Sequence, residues 1–273
     1  MHGNLRGTAA AEWRQHWRVV VAAASGVALS TLMSYCLALF IEPLEQEFGW
    51  TRAQITSGQI IAATSAVIFG PFVGGLIDLV GPRRMGIAAG LTMCGAVMLL
   101  ALTTSDIWVW RALWVPLSLA IVLIQPTVWT SAVTQLFNSG RGLALAVTLC
   151  GSSLASMITP ALTYALIENF GWRQAFVLLP AMWGLVVIPV VVLAFRTPKD
   201  AAAKDPAASR PGFAANTGAV LRKVVLTRRF VIFAAAGLAF ATVTVSLAVS
   251  AVPILTAFGL PRGEAVAWPR CSA

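Results

Sequence analysis

The sequence predicts an all-α integral membrane protein with seven membrane helices. Hydrophobic residues make up 58% of the chain and charged residues 11%, against about 25% charged in soluble domains, so a water-soluble fold would lack polar surface to hydrate. The charges also cluster, leaving seven stretches without Asp, Glu, Lys or Arg at 19–41, 53–77, 85–105, 112–140, 142–167, 174–195 and 230–261. Each exceeds the roughly 20 residues that cross a bilayer core as helix. The basic residues, finally, fall mainly in alternate connections, as insertion requires.

In order along the chain, residues 1–18 form a cytoplasmic N-terminal segment whose Arg14 and Arg18 flank the first run. That run, 19–41, is too long for a signal-peptide core and reads as an uncleaved first helix. Helices 2 to 6 follow, so residues 19–195 make a six-helix bundle. Between 196 and 229 the composition shifts to Ala, Pro, Ser, Lys and Arg, and Pro198, Pro206 and Pro211 deny a continuous helix. This is the cytoplasmic linker, with a short interfacial helix expected at 219–227. A seventh helix at 230–261 precedes an atypical tail, 262–273.

Fourteen of the Lys and Arg residues lie on the side of the N-terminus and five on the other, so the N-terminus is expected in the cytoplasm and the C-terminus outside. Arginine outnumbers lysine sixteen to three, a bias of GC-rich bacterial genomes that suggests the inner membrane. Phe48-Gly49-Trp50 and Phe170-Gly171-Trp172 both fall on the outer side, where indoles favour the headgroup layer. The net charge of +9 sits beside membrane spans, so its partner is the lipid bilayer and not nucleic acid. Cys36, Cys94 and Cys150 lie inside apolar runs, which argues against a disulfide framework.

Helix 2 ends in Gly74-Gly75-Leu76-Ile77-Asp78-Leu79-Val80-Gly81-Pro82-Arg83-Arg84. This resembles the signature loop of the major facilitator superfamily, Gly-x-Leu-x-Asp-Arg-x-Gly-Arg-Arg, at Gly74, Leu76, Asp78, Gly81, Arg83 and Arg84; Leu79 and Pro82 replace basic residues of the pattern. Gly81 suits a tight turn, and Asp78 can meet Arg83 and Arg84. Asn138-Ser139-Gly140-Arg141-Gly142 and Phe170-Gly171-Trp172-Arg173 also look like this superfamily, and 39–52 resembles its monocarboxylate and oxalate–formate branch. The resemblance implies a twelve-helix fold working by alternating access, with Asp78 helping to lock the outward-facing state. The apolar pattern here stops after the seventh helix, so the expected architecture is the N-terminal bundle plus one helix of a truncated transporter.

Intramembrane charge marks function by default, and Arg111, opening helix 4, is the main candidate; family members carry a functional arginine there. If it faces the cavity, its planar fork suits a carboxylate or phosphate, which favours an organic anion as the small-molecule substrate, with proton coupling as the family suggests. A snorkelling interfacial role is the alternative. Ser30, Ser34, Tyr35, Gln125, Thr130, Ser131, Ser156 and Tyr164 are further path candidates, each also suited to interhelical hydrogen bonding. Gly70 and Gly74, and the small residues of 151–160, suit close helix packing. All three lysines lie in the 196–229 linker, which leaves none for a retinal Schiff base. The two histidines, His2 and His16, precede helix 1, so no metal site, cofactor or catalytic pair is expected and the chain is not read as an enzyme. The alternative function is a non-transporting membrane product with a binding or regulatory role, or none.

Overall fold

The computed structural model describes residues 2–195, with side chains from residue 9 onward except that of Asp78. The linker at 196–229, the seventh helix and the tail therefore lie outside the described residues. Within them the secondary structure is helical: α1 (His2–Ser30), α2 (Leu32–Phe48), α3 (Arg52–Val80), α4 (Pro82–Leu99), α5 (Ile107–Leu123), α6 (Pro126–Leu136) and α7 (Arg141–Ala194), with a short 3-10 turn at Leu100–Leu102. Among the described residues, five stretches are long and apolar enough to cross a membrane: Ala9–Phe48, Arg52–Ile77, Pro82–Leu102, Ile107–Leu136 and Arg141–Ala194. The last breaks at Gly171, where φ is 79° and ψ 162°, a conformation glycine reaches without a Cβ penalty. Each of its two arms is itself long enough to span.

Local chemistry explains the other boundaries. Gly49 (φ 67°) ends α2 in the left-handed region, its N–H donating to Glu45 O. Thr51 and Gln54 then form a reciprocal capping box at the start of α3. Gly81, at φ 86°, is the whole connection between α3 and α4, and Pro82 occupies the first position of α4. Asp106 caps α5 by accepting from the Trp108 N–H at 2.9 Å, and Pro126 opens α6.

Several expected boundaries shift. The first helix extends well beyond 19–41 in both directions and turns at Thr31. The helix 2–3 signature is helix on both sides of one residue, Gly81, and not a loop. Helix 4 begins at Ile107, breaks at 124–125 and stops at Leu136, short of the expected 140.

Contacts at the helix ends define two faces. On one, Glu12 accepts from the N–H groups of Asn138, Ser139 and Gly140, Trp13 meets Phe137 at 5.5 Å, and Arg83 donates to Val192 O at 2.7 Å. On the other, Trp172 donates to Glu47, Arg173 donates to Glu47 at 2.9 Å and Thr103 O at 2.8 Å, and Trp50 donates to Ser105 O at 3.3 Å. Successive crossings therefore run antiparallel, and the arms of α7 reverse at Gly171. The two Gly-Trp turns, expected only as depth markers, pack on one another, with Phe48 and Trp172 at 5.8 Å.

The core is a seam of α1 against the first arm of α7. Ala144, Thr148, Gly151, Ala155 and Thr159 are buried at helical spacing, and a Cβ on Gly151 would stand 2.8 Å from the Ala24 carbonyl carbon. With lipid as solvent, close backbone approach of this kind holds helices together. Gly70 and Gly74 behave differently: a Cβ on either meets nothing within 4 Å, so among the described residues this pair packs against no helix.

Candidate functional site

Arg111 lies one turn inside α5, where the Asp106 cap and the Trp108–Trp110 aromatics start the helix near the Trp172 face. It is half-buried, its Nε donates to Ser57 Oγ of α3 at 3.3 Å, and its guanidinium stands 4.8 Å over the Trp108 ring. Such stacking and directed hydrogen bonding suit Arg better than Lys. Two turns deeper the same pair of helices is joined by the Ser65–Ser118 hydroxyl pair at 2.8 Å. Between these contacts Trp114 is 1% exposed and its indole N–H has no partner among the described residues.

The second group sits where helices break. Thr31 interrupts the first crossing, and Ile124–Gln125 interrupts the fourth. Trp129 fixes their relative height: its ring lies against Gly26, and its Nε1 donates to Ile124 O at 3.1 Å. At 1.5 Å rise per residue, Thr31 lies about 7–8 Å above Gly26 towards the Trp172 face, and Gln125 about 6 Å above Trp129 in the same direction. The two breaks therefore share a level near the middle of the bundle. Ser34 is exposed there, Tyr35 and Gln125 are half-buried, and none of their side chains makes a hydrogen bond among the described residues.

The remaining candidates separate from these groups. Thr130 donates to Pro126 O at 3.0 Å, Ser30 to Val27 O, Ser131 to Val128 O and Ser156 to Ser153 O. These hydroxyls bond back into their own helices and not between helices. Tyr164 is 58% exposed and, counted from the Gly151–Ala24 crossing, sits about 9 Å above the breaks. Arg111 sits about 21 Å above Gln125 along its own helix, so it is not drawn into the mid-level group. Of the signature residues, Leu76 is 38% exposed, Arg84 is exposed and Arg83 turns to Val192 O; the Asp78 side chain lies outside the described set.

Sequence reasoning missed Ser57, Ser65 and Ser118. The signal available was spacing: Ser57 and Ser65 are eight apart and Arg111 and Ser118 seven apart, which places each pair on one helix face. Pro126 likewise marked the break in the fourth crossing.

A bundle of apolar antiparallel helices, with two of its reversals made by single glycines and polar side chains held at mid-depth, is a multi-pass membrane protein. The chain belongs to the Major Facilitator Superfamily, whose model matches residues 23–269. It is similar to an MFS-type transporter of Gibberella moniliformis, 32% identical over 196 residues, covering 68% of this chain and 44% of that protein. It is also similar to a riboflavin transporter of Trypanosoma cruzi, at 25% identity over 62% of this chain and 38% of that protein. Monocarboxylate transporter 2 of Homo sapiens is 24% identical over 61% of this chain and 34% of that protein. The chain spans less than half the length of these relatives. Members of the superfamily are transporters and not enzymes.

Proposed function

We propose that this chain forms the N-terminal six-helix bundle of a secondary transporter that moves a small organic anion by alternating access, with its N-terminus in the cytoplasm. The observation that carries the reading is the shared level of the breaks at Thr31 and Gln125. Interrupted helices free backbone groups and polar side chains at mid-membrane depth, and such irregular backbone is tolerated where it lines a cavity. Ser34, Tyr35 and Gln125 are the substrate contacts at that level. Arg111, near the outer mouth, attracts and orients the anion: Ser57 holds only its Nε, so the terminal amino groups remain for a carboxylate. The monocarboxylate relative supports this substrate class. Proton coupling accompanies transport in this reading, and Asp78 with Arg83 and Arg84 governs the cytoplasmic side.

The test is equilibrium binding of radiolabelled monocarboxylates to the purified chain in lipid nanodiscs. Saturable binding that weakens in Arg111→Lys and in Gln125→Ala supports the reading. Binding of the same strength for neutral analogues and carboxylates would remove the anion assignment.

A further inference from the structure

We propose that the seam between α4 and the second arm of α7 is a groove for one bilayer phospholipid, seated with its acyl chains between the helices and its phosphate at Arg173 and Gln174. A hollow of about 480 Å³ opens between Leu91, Gly95 and Met98 on α4 and Pro180, Gly184 and Ile188 on α7. Small side chains create it, and a Cβ on Gly95 would meet nothing within 4 Å. One turn nearer the Trp172 face a second hollow of about 400 Å³ continues the seam, lined by Ala101, Val177 and Leu178 and ending at Arg173 and Gln174.

The dimensions select the occupant. From Leu91 to Ala101 the groove runs about 15 Å at 1.5 Å per residue, which is half of a roughly 30 Å hydrocarbon core and so the depth of one leaflet. Spread over that length and the longer α7 wall, the two open hollows have a cross-section of about 40–60 Å², too shallow to enclose a helix 10–12 Å across and enough to seat acyl chains. The lining between the ends is apolar, apart from the Cys94 thiol.

The mouth is polar and lies at headgroup height, beside the interfacial Trp172. Arg173 gives its terminal amino groups to Ala101 O, Thr103 O and Glu47, which fixes the guanidinium, while its Nε–H has no acceptor among the described residues. Gln174 is exposed and its carboxamide is likewise without a partner. An anionic phosphate oxygen can accept from both, in charge-assisted form from Arg173.

The experiment uses the full chain in nanodiscs containing phosphatidylglycerol with a mid-chain diazirine, photolysed and mapped by peptide mass spectrometry. Adducts on Leu91 and on Leu185, which also lines the larger hollow, should exceed, severalfold, those on the comparably exposed Val67 and Leu143 outside the seam. Gly95→Trp, which fills the groove, should bring seam adducts down to the level of those outside. A diacylglycerol carrying the same diazirine but no phosphate should label the seam severalfold less. Equal labelling inside and outside the seam of the unaltered chain overturns the proposal, whether or not Gly95→Trp folds. Equal seam labelling by the diacylglycerol overturns the assignment of the mouth.

Discussion

Gly151→Ala is expected to destabilise the bundle although it replaces glycine with the best helix former. The added Cβ would stand 2.8 Å from the Ala24 carbonyl carbon and 3.1 Å from its Cα, whereas heavy atoms rest at about 3.5–4.0 Å. Because the obstacle is backbone, no rotamer change relieves it, and α1 must move off α7 by about 1 Å. Overpacking of this kind costs about 1–3 kcal/mol, which outweighs the roughly 0.5–1 kcal/mol gained from helix propensity. The displacement also loosens Ala144, Thr148, Ala155 and Thr159, all fully buried in the same seam. Gly70→Ala is the reference, since its Cβ meets nothing within 4 Å and only the propensity gain remains. Equilibrium unfolding in mixed detergent micelles, followed by circular dichroism, should show opposite signs for the two substitutions. Equal stabilisation by both would refute the close crossing of α1 and α7.

Gly81→Ala should lower stability by about 1 kcal/mol or more, because φ 86° is open to glycine and not to alanine, as read in the same unfolding assay. Glu47→Gln keeps an acceptor for Trp172 while removing the charge facing Arg173; that pair is 43% and 45% exposed, so the loss should stay below about 1 kcal/mol and fade in high salt. Arg111→Lys should weaken carboxylate binding about tenfold, since lysine cannot reproduce the fork geometry or the Trp108 stacking. Impermeant maleimide should label cysteines placed at the exposed positions Arg52 and Phe170 from outside intact cells and those at Arg84 and Asn138 only after permeabilisation; the reverse pattern would invert the orientation.

Helix existence was legible because uncharged runs leave a chain in lipid no other way to satisfy its backbone. Helix ends were less so. Glu42, Glu45 and Glu47 ended the apolar run at 41, yet the helix continues to Phe48 because those carboxylates lie on an emerging turn where Glu47 is held by Trp172 and Arg173. The fifth and sixth runs suggested a six-residue loop, but Gly171 alone supplies the reversal. Arg111 stood out as a lone charge, while its partner Ser57 depends on which helices pair, a tertiary fact that periodicity does not carry. The same limit hid the meeting of the two Gly-Trp turns and the level shared by Thr31 and Gln125.

Alternating access makes one demand of this bundle that simple anchoring does not: the level of the two breaks must meet water from each side in turn. Ser34→Cys and Gln125→Cys, placed singly in a background with Cys36, Cys94, Cys150 and Cys271 replaced, can be challenged with a membrane-impermeant thiosulfonate in right-side-out and inside-out vesicles. Reaction is expected at both positions from both faces, with protection by saturating carboxylate. Failure of both cysteines to react from either face would place the breaks in lipid or packed protein and contradict a transport path through them.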